Sequence, residues 1–579
     1  LVIFSVNAWS ATFYVTDSKE LQEALDDAGG NGENDHICIY VGTYEGNFVY
    51  QEPAQDADKI TRLIGGYNDE GKPINDPSKT ILDGQQEGRT LECNIQGSLQ
   101  IMNLTIQNGR SELCGGGLGI AIGSYAKKPG VVFLMNNIIQ NNHSEDYAGG
   151  LYLQSRDEER EAGNIFLINN VISGNTASGR SAEWGGGGAF IESITLGDNH
   201  EKPGEIWLFG NTIKNNGCFH GWGGGVSILT RSDTCPAGLV YLDSNTISDN
   251  TNRGEAAGIS ISSKSRSETG TSAPITLKKN TITGMNPCIL NDPSSDATFA
   301  GGDGAHIRTS SESGGAAKVI LNNNTIAENS GRRGGIHIFS KTNTGYSGDI
   351  IVSGNTVSRN SAIGVGNEFD HVFPGGISAI TGSFSVGGKS GNIVFTNNMI
   401  TDNNSVNYGG GAYINSASLS LAGDIIFTNN TVTGNNTTMV GGGIYLMGGN
   451  NTIDVYNNII WGNMATQGGG DIFLWCSAIF NGFNNNYSDL SGSWDSEGGN
   501  IDQDPRFVGG GDYHINFFSP CRNAGTASAP GLPQFDYDGQ NRKIAGIPDI
   551  GADEVSFVMP KNLRKFIRKF VPREFVDLI

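Results

Sequence analysis

One phrase, apolar-x-x-Asn-x-Ile/Val, occurs ten times and limits what this chain can fold into more than any other feature. Its Asn positions are Asn137, Asn170, Asn211, Asn245, Asn280, Asn324, Asn355, Asn398, Asn430 and Asn458. In nine copies a second Asn follows five residues later, whereas the Asn280 copy carries Met285 there. A Gly cluster followed by alternating apolar residues answers the phrase, as at Gly149-Gly150 and Gly441-Gly442-Gly443. The Asn-to-Asn spacings run 33, 41, 34, 35, 44, 31, 43, 32 and 28. A constant phrase at variable spacing describes a rung of fixed geometry joined by loops of variable length, which is a solenoid.

The phrases alternate apolar and polar residues, as from Ile425 to Val432, and that is a strand period. They are rich in Thr, Ile, Val and Gly. The expected fold is therefore all-β, a right-handed single-stranded parallel β-helix. About twelve coils at a strand separation of roughly 4.8 Å make a rod of roughly 58 Å. Asn tolerates the left-handed backbone that turns between strands need. Stacked Asn side chains also hydrogen-bond along a rod, so the ten are expected to form a structural ladder. The Gly clusters lead into strands and carry no Gly-Lys-Ser/Thr, which excludes a phosphate-cradling loop.

The formal net charge of −22 argues against nucleic acid as a partner of the main body. Eight scattered Cys contain no CxxC and eight His show no metal-ligand spacing, so no metal is expected from motifs, although a Ca²⁺ requirement stays open. Cys218 and Cys235 lie in neighbouring loop regions, as do Cys93 and Cys114, so disulfides can form there in an oxidising compartment, with a pairing the sequence does not set.

Taken in order, residues 1–11 read as the end of a secretory signal, with Ala8 and Ser10 at the small-residue places of a cleavage site; the alternative is a hydrophobic first strand. Residues 12–35 hold a strand and an amphipathic helix over Asp17–Ala28 that would cap the open first coil. Residues 36–500 form the β-helix, 501–556 an irregular C-terminal cap, and 557–579 a basic amphipathic tail. In that tail Leu563, Phe566, Ile567 and Phe570 recur at helical steps, with Lys561, Arg564, Lys565, Arg568, Lys569 and Arg573 between and beside them. Such a helix either closes the last coil or lies on an anionic membrane surface.

The run from Asp504-Pro-Arg-Phe507 to Asp549-Ile-Gly-Ala-Asp-Glu554, together with Leu63-Ile-Gly-Gly-Tyr67 and Ile81-Leu-Asp-Gly84, resembles bacterial secreted β-helix proteins of the pectate-lyase-like superfamily, whose surface members carry varied anchors after this run. The Phe395 to Asn398 and Phe427 to Asn430 phrases are similar to those of polymorphic outer-membrane adhesins. The resemblance implies secretion or attachment to the cell surface. It leaves activity open, since the superfamily includes lyases, hydrolases, epimerases and adhesins.

No polygalacturonase-like or pectate-lyase-like set of site residues is present as a motif. One constellation does stand out. Aromatic residues precede successive Gly clusters at Tyr147, Trp184, Trp222, Phe373 and Tyr408, which would place them on one edge of the rod. Aromatic faces stack on sugar rings, and the alternative is that they pack on one another over the Gly backbone. Glu183, Asp146, His220 and Glu255 lie beside them as weak catalytic candidates. Three functional classes follow. The first is a surface protein binding a polysaccharide or cell-surface glycan without catalysis. The second is a polysaccharide lyase or glycoside hydrolase acting beside the aromatic edge, and the third is a structural surface-layer or filament subunit. Oligomeric state is not legible.

Overall fold

The computed structural model describes residues 11–555, apart from 54–58, 124–129, 158–161, 180–184, 197–202, 234–235, 267–269, 288–302, 365–372, 386, 419–420 and 544–545. The signal-like residues 1–10 and the basic tail 557–579 therefore lie outside the described residues.

The chain winds through three long parallel faces. Face one has 16 strands, from Ala11–Val15 to Ser496–Gly498. Face two has 14, from Gly42–Glu45 to Asn486–Tyr487, and face three has 14, from Phe48–Gln51 to Leu490–Ser491. Every coil visits the faces in that order, as Val132–Met135, Ile138–Gln140 and Leu151–Asp157 do before the chain returns to face one at Ile165–Ile168. Fourteen coils visit all three faces, two more than the sequence suggests. The difference comes from coils at either end that lack the full Asn phrase. At the usual strand spacing the rod is roughly 67 Å long.

Inward residues repeat at the same register on every rung, so Leu134 pairs with Leu167, then Leu208, then Leu242, all fully buried. One continuous apolar core runs from Val15 to Phe480. A side chain of this size stabilises the fold by roughly 1.5–3 kcal/mol when fully buried. At the far corner of face three the inward column turns polar: Ser155, Ser193, Thr230, Ser263, Thr309, Ser340, Thr381 and Ser416 are all buried and in register. There the Ser340 hydroxyl accepts the Gly348 amide at 2.8 Å, which ties the outgoing loop to its own rung.

The repeated Asn side chains point inward at the corner between faces one and two. The Asn137 backbone amide and its Nδ2 both donate to Asn170 Oδ1, at 3.0 and 3.1 Å, while Nδ2 also donates to the Ile101 carbonyl at 2.8 Å. The pattern repeats through Asn458 and continues to Asn485 and Asn500. A second ladder runs from Asn142 to Asn463 at the next corner and ends on Asp471, whose other oxygen accepts from Ser488 and Asp489. Met285 interrupts it, offering Asn250 Nδ2 only a sulfur at 4.0 Å. The left-handed conformation expected of the ladder Asn residues falls instead on the residue before each one. Asn136, Asn169, Ser244 and Lys279 all have φ between 52° and 58°. The turn needs one residue to bend the backbone and the next to fill its hydrogen bonds, so the two duties separate.

The N-terminal helix Ser18–Gly30 starts on Asp17, whose carboxylate accepts the Glu20 amide at 2.9 Å, while Glu20 reaches back to the Thr16 amide at 2.8 Å. Leu21, Ala24, Leu25 and Ala28 pack on the first coil. On the exposed side of strand Phe48–Gln51, Gln22 donates to the Val49 carbonyl at 2.8 Å and accepts the Val49 amide at 3.0 Å. Its amide group thus satisfies both peptide groups that a neighbouring strand would have used.

The C-terminal region is more than a cap on the last coil. It doubles back along the corner between faces one and two. Asn484 donates to Ala524, Asn457 to Thr526, Asn429 to Asp549 and Gly551, and Asn397 to Phe535. These four donors are the left-handed turn residues of successive coils. Arg542, which is 1% exposed, ties this strap together by pairing with Glu554 at 3.0 Å and donating to Asn397, Gly551 and Ala552. The described Cys93 and Cys114 are both free thiols, not a bridge, and Cys93 is wholly buried in the core. Cys218 is also a free thiol, while Cys235 lies outside the described residues.

Candidate functional site

The aromatic residues ahead of the Gly clusters mark the corner where the chain turns onto face three. Tyr147 is half-buried and packs edge-on against Tyr152 and Phe190, with ring centroids 5.6 and 5.5 Å away. Tyr408, also half-buried, packs on Tyr445 at 5.6 Å. Half-buried Trp222 has Lys264 Nζ 5.4 Å from its ring. Phe373 departs from the expectation of a ligand-facing edge. It is 0% exposed because the guanidinium groups of Arg332 and Arg333 cover its ring at 4.7 and 5.8 Å. Trp184 and Glu183 lie outside the described residues.

Of the catalytic candidates, Asp146, His220 and Glu255 sit on three different coils. The carbonyls of Asp146 and His220 serve the turns, accepting from Gly179 and Cys218. Glu255 enters a cluster of ionisable groups on face three.

That cluster follows from strand alternation on face three. Ala305, Ile307 and Thr309 point inward and are fully buried, so His306 and Arg308 point outward. One rung on, His337 and Phe339 occupy the same places, and one rung back Ser260 and Ser262 do. Glu255, just before its strand, meets His306 Nδ1 at 2.7 Å. The His306 and His337 ring centroids lie 5.2 Å apart. Asp303 is fully buried, accepts the Arg333 amide at 2.6 Å and faces its guanidinium at 3.7 Å. Burial opposes ionisation of Glu255, but the neighbouring His306 first, and then the charges of Arg333 and Arg308, outweigh it and hold the carboxyl below the usual range. Burial likewise drives His306 below the ordinary imidazole range, against the opposing pull of Glu255. Asp303 is pushed up to about 6 by burial, against the pull of Arg333.

Arg308, Arg332 and Arg333 act on Glu255 and Asp303, and Lys264 and Lys341 stand in the outward column two residues beyond Arg308, so among the described residues five cations against two carboxylates leave a local +3. Further along the same face a cavity of about 300 Å³ opens between Tyr147, Tyr152, Gln154, Arg156, Glu192 and Arg231. Glu192, 2% exposed, accepts the Tyr152 hydroxyl at 3.1 Å, and burial raises its carboxyl above the usual range. The register places Glu192 three rungs from Arg308 in one outward column, through Leu229 and Ser262. At the strand spacing that is roughly 14 Å along the rod.

Sequence reasoning overlooked Lys264, His306, Arg308 and His337. A signal was available, because His306 and His337 each stand 18 residues before a ladder Asn, Asn324 and Asn355. The expectation that the His residues have no metal-ligating partners also meets a difference. Among the described residues one group of three side chains, His514, Asp538 and Asp553, is close enough to hold an ion, and it belongs to the C-terminal strap.

Residues 267–460 match the family model described as a right handed beta helix region. No curated protein matches the chain. Among solved structures it is similar to that of a PL6 family alginate lyase, AlyGC, at 10% identity and a TM-score of 0.14, over 84% of this chain and 100% of that one.

Proposed function

We propose that this right-handed parallel β-helix protein binds an acidic polysaccharide along face three, as a secreted or cell-surface protein whose rod carries the binding groove. The observation that supports the reading is the local +3 that the described residues make around Arg308 on a chain of net charge −22, beside the half-buried rings of Trp222 and Phe339. Aromatic faces stack on sugar rings. Guanidinium forks take carboxylates through two parallel bonds, which suits a uronate repeat better than a neutral sugar. The test is affinity electrophoresis of the full chain in polyuronate and in neutral glucan gels. Retardation by polyuronate alone, weakened by salt and by Arg308→Ala, is expected. Equal retardation by the neutral polymer, or none by either, would refute it.

A specific observation favours a second reading, cleavage of the bound polymer by β-elimination. His306, whose Nδ1 lies 2.7 Å from Glu255 and whose burial favours the uncharged ring, would act as the base. Arg308, two residues on along the same strand, is placed to stabilise the charge that develops on a uronate carboxylate as the adjacent proton leaves. The proton next to the carboxylate goes to His306, a carbon–carbon double bond forms from the C–H pair, and the glycosidic oxygen leaves with its bonding pair and takes a proton from water. Ultraviolet absorbance of the unsaturated product should grow with time and vanish in His306→Ala. Binding without any such absorbance leaves the first reading alone.

A further inference from the structure

The C-terminal strap holds an arrangement that the face-three reading does not use. His514 Nε2 is buried and has no hydrogen-bond partner. It faces Asp538 Oδ2 at 3.5 Å, and ligand atoms of His514, Asp538 and Asp553 all lie within 4.8 Å of one another. The other nitrogen of the ring is already committed. Nδ1 bonds to the Asp512 carboxylate at 2.5 Å, and Asp512 also accepts the His514 amide at 3.0 Å. With Nδ1 as the donor, Nε2 is left as a lone pair pointing at two carboxylates, and lone pairs facing one another need a cation between them.

Asp553 is the second, independent sign. Its neighbours are all provided with donors. Asp536 accepts the Gln540 and Glu554 amides, at 2.6 and 3.1 Å, and Asp549 those of Asn523 and Val555, at 2.6 and 2.8 Å. Glu554 accepts Arg542 at 3.0 Å and the Asp549 amide at 2.9 Å. Asp553 is 7% exposed, and among the described residues nothing donates a hydrogen bond to its carboxylate. A carboxylate so largely buried and without protein donors calls for something positive beside it.

We propose that this strap binds one divalent cation of the zinc class through His514 Nε2 and the carboxylates of Asp538 and Asp553. Zinc takes nitrogen and oxygen ligands at about 2.0–2.2 Å in a tetrahedron, whose ligand-to-ligand edge is then roughly 3.4 Å. The 3.5 Å between Nε2 and Asp538 Oδ2 fits that edge and is long for a hydrogen bond. Asp512 behind the ring supplies the carboxylate that orients a ligating imidazole. A set of one nitrogen and two carboxylates offers too few oxygens for calcium, which takes six to eight. The fourth position is left for water. The ion would join the hairpin of Phe507–Gly509 and Asp512–Ile515 to the segments around Asp538 and Asp553.

The experiment is isothermal titration of the chelator-treated full chain with Zn²⁺, and separately with Ca²⁺ and Mg²⁺. One saturable Zn²⁺ per chain is expected, with tighter binding than Ca²⁺ and a rise in melting temperature. Asp538 is about half-exposed, so Asp538→Asn should fold normally and lower the Zn²⁺ affinity at least tenfold. His514→Ala should lower it further, and Asp512→Asn by about 10–100-fold. Absence of one-equivalent binding, Ca²⁺ binding tighter than Zn²⁺, or unchanged affinity in the folded Asp538→Asn protein would overturn the assignment. An imidazolium bridging two carboxylates would show itself as a folded protein that takes up no Zn²⁺.

Discussion

Replacing Asn355 by Ala removes one rung from the middle of the first ladder. Asn355 Oδ1 accepts the Asn324 backbone amide at 2.8 Å and Asn324 Nδ2 at 2.9 Å. Its own Nδ2 donates to the Leu321 and Ser353 carbonyls at 3.1 Å and to Asn398 Oδ1 at 3.0 Å. In the variant, Asn398 Oδ1 keeps the Asn355 amide and Asn324 Nδ2 keeps the Leu277 carbonyl, so both remain partly satisfied. The Asn324 amide loses its partner outright. An orphaned buried donor costs about 1–3 kcal/mol, and the half-satisfied groups add to it, which puts the whole effect at roughly 2–4 kcal/mol. Because each coil touches only its neighbours, the damage should concentrate there. Denaturant unfolding followed by circular dichroism should show the loss. Amide exchange should accelerate around Asn324 well before it does around Asn170. Exposed Asn404→Ala serves as the control, expected to change stability by about 0.5 kcal/mol or less. An unchanged midpoint and unchanged exchange in Asn355→Ala would refute the ladder as a source of stability.

Gln22→Ala should expose both peptide groups of Val49, speed its amide exchange and cost about 1–2 kcal/mol, whereas exposed Gln51→Ala should do neither. Asp303 is raised to about 6 in the folded chain from an ordinary value near 3.8, so the fold favours its neutral form. That contribution is complete below about pH 4 and is lost as pH rises through about 6, on the order of 2–3 kcal/mol. Asp303→Asn should therefore flatten the stability profile between those values, and an identical profile would count against the burial argument. Among the described thiols, native labelling read by peptide mass spectrometry should modify exposed Cys476 first and reach Cys93 and Cys521 only after unfolding.

The β-helix was legible because its ladder residues recur in a phrase, and a phrase survives loops of any length. The split between the bending residue and the bonding residue was not, since Asn136 and Asn137 are the same amino acid and only the backbone tells them apart. The outward columns of face three hid for the opposite reason. The column that holds His306 and His337 has Ser260 on the preceding rung and Ser378 on the following one, so its chemistry is not repeated along the rod. Phe373 showed its aromatic character but not its burial, which Arg332 and Arg333 decide. The hydroxyl column from Ser155 to Ser416 mixes Ser with Thr at the ends of strands of unequal length, so no fixed phrase marks it. The docking of the strap escaped, because its partners lie from 40 residues away, as Asn484 for Ala524, to 138, as Asn397 for Phe535, and follow no repeat.

The glutamine that lies against Val49 has a consequence for assembly. A stack of parallel strands is indifferent to where one chain stops and another starts, so an uncovered first rung invites a second molecule to continue it. Gln22 imitates the missing neighbour with a single side chain, and the helix behind it occupies the space a docking strand would need. On face three the N-terminal end is thus closed to growth, and fibres built head to tail by extending that sheet are barred from this end.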